Sequence, residues 1–291
     1  MATQQDPTTM KLCQFGDLNS EKPGLVDREG RLRDLSGLRG PFRPEDLSPE
    51  GLARLAAIAP ERLPFVSGNP RIGVPFHGTS KIVCIGLNYS DHAAETGLPV
   101  PTEPIIFLKP TTAICGPNDD TIQPPHSTRL DWEVELGVVI GRKARRVPEE
   151  RALDHVAGYC VVNDVSERAF QMQSSQWDKG KGCDSFAPLG PWLVTADEVP
   201  DPQNLDLWLD VNGERMQTGN TRTMIFGVAE LVSYCSAYMT LLPGDVIATG
   251  TPPGVGMGKR PEPIWLKPGD TVTLGVESLG RQRQRVVRAP E

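Results

Sequence analysis

Between Asp131 and Ile140 the chain reads Asp-Trp-Glu-Val-Glu-Leu-Gly-Val-Val-Ile, and this run constrains the fold more than any other. Alternating acidic and apolar side chains with β-branched content predict a strand, whose successive side chains point to opposite faces. Glu133 and Glu135 then share one face, with Trp132, Val134 and Leu136 on the other. The apolar continuation from Gly137 to Ile140 suits a strand buried on both sides, deep in a domain. Two carboxylates one strand step apart, roughly 7 Å, repel each other when ionised in a low-dielectric setting. Something must compensate, unless the face is merely solvated.

A second stretch weighs against simple solvation. Tyr159-Cys160-Val161-Val162-Asn163-Asp164-Val165 is another β-rich run, with an acid where an apolar residue is expected. It supplies a third carboxylate. Three carboxylates with no thiolate or imidazole among them suit a hard divalent cation, Mg²⁺, Mn²⁺ or Ca²⁺. The expectation is a metal site at Glu133, Glu135 and Asp164, where a cation with open positions chelates a substrate and stabilises negative charge developing on it.

The 291 residues suffice for one large domain or two unequal ones with a sizeable core. A net charge of −7, with no basic run, excludes a general nucleic-acid-binding role. Six cysteines are scattered without CxxC spacing, which predicts free thiols in a reducing compartment. No apolar run is long enough to cross a membrane, and the polar N-terminus lacks the apolar centre of a signal peptide. The expectation is a cytoplasmic protein with no membrane partner.

Along the chain, residues 1–9 read as a disordered tail and residues 10–75 as a small N-terminal domain of short strands and one helix. That helix begins at Ser48-Pro49-Glu50, a cap followed by proline, with Leu52, Leu55 and Ala56 on one face. A Pro/Gly-rich connection leads to a larger domain, 76–291. It opens with the buried strand Lys81 to Gly86, followed by Leu87-Asn88-Tyr89-Ser90-Asp91-His92-Ala93-Ala94-Glu95. With Ser90 or Asp91 capping a short helix, His92 and Glu95 stand three apart on one face, where a carboxylate can orient an imidazole as a general base. An ordinary surface helix carries the same spacing. Further on, Arg168 and Gln171 are again three apart, the Trp177 to Phe186 segment is glycine-loosened and carries lysines, and Asn212-Gly213 between two strand-like runs predicts a type I′ hairpin. The segment Phe226 to Leu241 predicts an amphipathic helix. The glycine-rich stretch Gly250 to Gly258 fails both the Walker and dinucleotide patterns.

Taken together, these motifs resemble the fumarylacetoacetate hydrolase superfamily: Gly86-Leu87-Asn88-Tyr89-x-x-His92-x-x-Glu95, Phe107-Leu108-Lys109-Pro110, Glu133-x-Glu135-Leu136, Asn163-Asp164-Val165-x-x-Arg168, Lys181-Gly182-x-Asp184 and Thr249-Gly250-Thr251-Pro252-x-Gly254-Val255-Gly256, in that order. The resemblance covers about residues 80 to 280. It implies a mixed α+β, mainly β fold, with a β-roll core carrying the metal at Glu133, Glu135 and Asp164, and a homodimer. It also implies that His92 and Glu95 activate water from a lid, that Lys181 lies near metal-bound substrate, that Arg168 and Gln171 line the site, and that Thr251 binds a substrate oxygen. The implied chemistry is C–C hydrolysis of a 2,4-diketo acid. Features around Met10-Lys11-Leu12, Asp178 to Asp184 and Gly219 to Phe226 look most like hydrolases of 2,4-diketo-3-deoxy-L-rhamnonate or L-fuconate, which yield pyruvate and lactate. Related members decarboxylate oxaloacetate, or isomerise and decarboxylate 2-hydroxyhepta-2,4-diene-1,7-dioate. A non-catalytic metal-binding scaffold is the alternative of a different class.

Overall fold

The computed structural model describes residues 10–97 and 99–290; the tail expected over 1–9 lies outside them. The architecture is mixed α+β and mainly β. Its largest sheet runs, edge to edge, through Leu32–Asp34, Lys22–Val26, Lys11–Phe15, Ala187–Thr195, Val156–Asn163, Val134–Ile140, Val246–Ala248, Ile82–Gly86 and Ile105–Lys109, with Ile114–Cys115 pairing beside Ala187–Thr195. The strands predicted from the acidic run and from Tyr159 to Asp164 are neighbours at its centre, antiparallel, with Glu135 opposite Val162. All seven residues of Val134–Ile140 are buried, as an apolar run flanked on both faces demands.

A second sheet, in the order Glu214–Asn220, Asp206–Val211, Thr271–Val276, Gly280–Arg288 and Thr121–Gln123, packs against the first. The predicted hairpin lies here, its two turn residues Asn212 and Gly213 at φ 52° and 82°. Buried glutamines join the sheets: Gln217 accepts from Val134 N at 3.0 Å, and Gln282 donates to Val161 O at 2.7 Å. Paired in this way, their amides sit in the core without an unsatisfied group.

Residues 10–75, expected as a small domain, share a sheet with the rest, because Lys11–Phe15 pairs directly with Ala187–Thr195. Within them Ser48 caps the helix Pro49–Ala56 by accepting from Gly51 N, as its sequence predicts. Leu55 is buried and Leu52 partly so, but Ala56 faces solvent. The predicted C-terminal helix is shorter than expected, Val228–Tyr238. Among the described residues, all six cysteines are free and no helix is long and apolar enough to cross a membrane.

Candidate active site

The site lies where the centre of the large sheet meets three loops. Leu130–Asp131 pairs with Ser166–Glu167 in a separate two-stranded sheet, and the chain then passes through Trp132 and Glu133 before it enters the large sheet at Val134. Glu133 N takes the Asn163 side chain as its acceptor, and Asp164 N donates to Glu133 O. This break, which alternation alone does not reveal, lets the carboxylates of Glu133, Glu135 and Asp164 approach within 4.8 Å of one another, all buried.

Three buried cations answer them. Lys181 Nζ, at the end of the short helix Asp178–Lys181, donates to Glu133 Oε2 at 2.6 Å and Asp164 Oδ2 at 2.8 Å. Arg168 donates to Asp131 Oδ2 at 2.8 Å, Glu133 Oε1 at 2.5 Å and Gln171 Oε1 at 3.0 Å. Lys109 pairs with Asp164 Oδ1 and donates to Val165 O at 3.0 Å. Burial pushes the Glu133 carboxyl upward, but Lys181 and Arg168 outweigh it and hold the group at about 2. Glu135 moves the other way. Among the described residues it has no ion pair; burial, then Asp164 and Glu133, push its carboxyl well above the ordinary value, against the charge of Lys181 and a hydrogen bond from Gly250 N at 2.9 Å.

A divalent cation fits this donor set. The oxygens are hard and clustered, one carboxylate lacks a counter-charge, and the buried hydroxyl of Tyr89, in the field of Glu135, has no hydrogen-bond partner among the described residues. Gly250 is shaped for its task. Its φ is +96°, and a Cβ there would lie 2.8 Å from Asn88 Cβ and 3.1 Å from Ile85 O. Asn88 in turn donates to Thr249 O and Phe226 O, fastening the glycine-rich loop to the turn after Ile82–Gly86.

His92 and Glu95 sit on the helix Ser90–Thr96, which starts after Tyr89 without a side-chain cap, so neither Ser90 nor Asp91 caps it as the spacing predicted. His92 Nδ1 lies 3.0 Å from Glu95 Oε2. Gly254 N donates to Glu95 Oε1 at 3.0 Å, tying this helix to the glycine-rich loop. Burial would raise the Glu95 carboxyl, yet His92 and the Gly254 amide lower it on balance.

A cavity of about 280 Å³ collects these groups, with His92, Glu133, Glu135, Arg168, Gln171, Lys181 and Thr251 on its wall. Asp164 stands behind, between its two lysines. Thr251 differs from the expectation: its hydroxyl donates to Val134 O at 2.9 Å and accepts from Gln217 Nε2 at 2.8 Å, so its proton is committed to the fold and is not free for a substrate oxygen. Two residues to which the sequence reading assigned no role belong to the site. Lys109 is fully buried at the end of an apolar strand, and Asp131 holds Arg168 together with the amides of Gly256 and Met257.

Comparison with known proteins is consistent with this geometry. The family model described as fumarylacetoacetate (FAA) hydrolase, C-terminal, matches residues 81–287. A protein of Burkholderia orbicola (strain MC0-3), named provisionally as a hydrolase, is 61% identical over 281 residues, covering 96% of this chain and all of its own. The crystallised fumarylacetoacetate hydrolase of psychrophilic Exiguobacterium antarcticum is 32% identical, with a TM-score of 0.83, across 97% of this chain and 100% of that one. The 2-hydroxyhepta-2,4-diene-1,7-dioate isomerase of Mycobacterium marinum is 35% identical, with a TM-score of 0.73 and the same coverage.

Proposed function

The chain is an enzyme of the fumarylacetoacetate hydrolase family, and on that premise we propose that it hydrolyses the C3–C4 bond of a 2,4-diketo acid, the class that includes 2,4-diketo-3-deoxy-L-rhamnonate and L-fuconate, to pyruvate and a second carboxylate. The observation that carries this reading is the meeting, on one cavity, of an oriented imidazole with a buried cluster of carboxylates and cations.

Glu133, Glu135 and Asp164 would hold the cation, with Mg²⁺ first and Mn²⁺ or Ca²⁺ allowed by the same oxygen donors. When bound, it supplies Lewis-acid stabilisation of the negative charge that grows on the 2-oxo acid. The protein's own groups do the rest. Glu95 holds His92 at Nδ1 and so orients the imidazole as the base that takes a proton from water. The hydroxide attacks C4, the C3–C4 bond breaks, and its electron pair passes to C3 as the enolate of pyruvate. Lys181 Nζ, held between Glu133 and Asp164, presents positive charge to that enolate. Arg168 and Gln171 brace the cluster and shape the cavity floor. A proton delivered to C3 gives pyruvate, and the acyl fragment leaves as a carboxylate. Decarboxylation of oxaloacetate, or the isomerisation named for the Mycobacterium marinum neighbour, needs the enolate-stabilising groups but no activated water, and the His92–Glu95 pair therefore favours hydrolysis.

The test is pyruvate release from 2,4-diketo acids with Mg²⁺ and with EDTA, oxaloacetate alongside. Chelator-sensitive pyruvate together with the second carboxylate is expected; pyruvate from oxaloacetate alone would replace hydrolysis by decarboxylation. A homodimer is carried over from the family and a cytoplasmic location from the scattered free thiols, both in the same sense, and light scattering checks the first.

A further inference from the structure

We infer that the part of the substrate beyond C4 is an apolar or aromatic acyl tail, gripped between Trp177 and the strand Ile105–Lys109; this rests on the diketo-acid reading above. Along that strand Lys109, Phe107 and Ile105 share one face, and they grade from charge to hydrocarbon. Lys109 pairs with Asp164 in the acidic cluster. Phe107 is the boundary: it meets both Lys181 Nζ, 5.1 Å from its ring centroid, and Trp177, edge-on at 5.4 Å and 66°. Ile105, the far end, pairs with Gly86.

Gly86 is what admits the indole. A Cβ there would lie 2.6 Å from Trp177 Cζ3 and 3.5 Å from Ile105 Cγ2, so the ring rests in the notch a missing side chain leaves. Met172 and Met257 add soft walls around it. The lysine and arginine that line the cavity, Lys181 and Arg168, are both bound to Glu133 at the acidic end. Among the described residues that line the other end, Ile105, Phe107, Met172, Trp177 and Met257 offer a tail carboxylate no counter-charge. Tail hydroxyls meet only the indole N–H and two thioether sulfurs among the side chains of Ile105, Phe107, Met172, Trp177 and Met257. Leaving such groups desolvated and unpaired is costly, whereas each methylene placed there gains about fourfold in affinity until the cavity is full.

The experiment separates tail recognition from chemistry by using 2-oxo acids that lack the 4-oxo group and cannot be cleaved. Binding of 2-oxobutanoate, 2-oxohexanoate, 2-oxooctanoate and 2-oxoadipate to the Mg²⁺-supplemented enzyme is measured by calorimetry, alongside kcat/KM for acetylpyruvate, benzoylpyruvate and 2,4-diketo-3-deoxy-L-rhamnonate. The expected result is a Kd falling about fourfold per methylene, 2-oxoadipate at least about tenfold weaker than 2-oxohexanoate, and benzoylpyruvate preferred over the hydroxylated substrate. In Trp177→Ala and in Ile105→Ser the ratio of Kd values between 2-oxobutanoate and 2-oxooctanoate shrinks, and a ratio taken within one variant cancels any general loss of folding. A flat series, or 2-oxoadipate binding as tightly as 2-oxohexanoate, overturns the inference even where diketo acids are cleaved. A steep series with no diketo acid turned over upholds the apolar tail site and sinks the hydrolase reading instead.

Discussion

Glu135→Gln is expected to stabilise the metal-free protein while removing its response to metal. Glu135 is the one carboxylate of the cluster without a cationic partner, within 4.8 Å of two other acids. At that separation two unit charges repel by about 3 kcal/mol with an effective dielectric near 20. Lys181 offsets part of this, so relief of about 1–3 kcal/mol is expected from a neutral isostere whose amide oxygen still accepts from Gly250 N. For a chain of this size that is a rise in Tm of several degrees. The sign with pH follows from the raised carboxyl. In the unfolded chain Glu135 titrates near its ordinary 4.5; in the fold it holds its proton to higher pH, because burial and then Asp164 and Glu133 disfavour the charge. Between those two values the native state binds more protons, so the wild type loses stability as pH rises through that window. The variant lacks this loss. The Tm gap, measured by calorimetry in EDTA, is therefore small near pH 4.5, widens as pH rises, and levels off once folded Glu135 is ionised. Adding Mg²⁺ raises Tm in the wild type and leaves the variant unmoved. A variant less stable than the wild type in EDTA at neutral pH would refute the account, since the Glu135 charge would then be compensated by something other than a metal.

Three further outcomes follow from the same geometry. His92→Ala abolishes pyruvate release yet keeps the Mg²⁺-induced rise in Tm, because the imidazole pairs with Glu95 and the candidate ligands are the three carboxylates; an unchanged rate would mean the base lies elsewhere. Gly250→Ala, at φ +96° with Asn88 and Ile85 in the way, costs about 1–3 kcal/mol in chemical denaturation and weakens metal response by moving the amide that serves Glu135. Lys109→Met leaves Asp164 one cation short in a fully buried place and lowers stability by about 3–5 kcal/mol in EDTA, with part of that recovered by Mg²⁺; a loss that Mg²⁺ leaves untouched would mean Lys109 matters for packing alone.

What the residues disclosed on their own was what neighbours in sequence decide. Ser48 caps its helix and Asn212-Gly213 turns its hairpin, because each depends on a few adjacent dihedrals, whereas the period of two holds only from Val134 onward and Glu133 reaches Glu135 from the break before it. What stayed hidden depends on distant partners. Lys109 stands in the Phe107-Leu108-Lys109-Pro110 segment, which by itself gives it no role; only the fold brings it onto Asp164, 55 residues away. Asp131 reads as the start of a strand, and three of its bonds reach distant residues, Arg168, Gly256 and Met257. Thr251 lies within a motif that suggested a substrate contact, but the motif cannot show that Val134 and Gln217 already occupy its hydroxyl.

Charge balance ties these hidden residues to the chemistry. Four buried carboxylates, Asp131, Glu133, Glu135 and Asp164, face three buried cations, Lys109, Arg168 and Lys181, leaving one negative charge over. With Glu135 ionised, a dication held by Glu133, Glu135 and Asp164 would turn that surplus into a single positive charge, which the one carboxylate of a 2-oxo acid would neutralise. On the proposed reaction a second negative charge, on the enolate, would exist only once the C3–C4 bond is breaking, and Lys181, which already pairs with Glu133 and Asp164, would turn part of its field toward it. Stabilisation that appears only as the bond breaks is what accelerates the step. By the same count, a substrate with a second carboxylate on its tail would bring its extra charge to the end of the cavity where Phe107, Trp177 and Ile105 offer nothing to balance it.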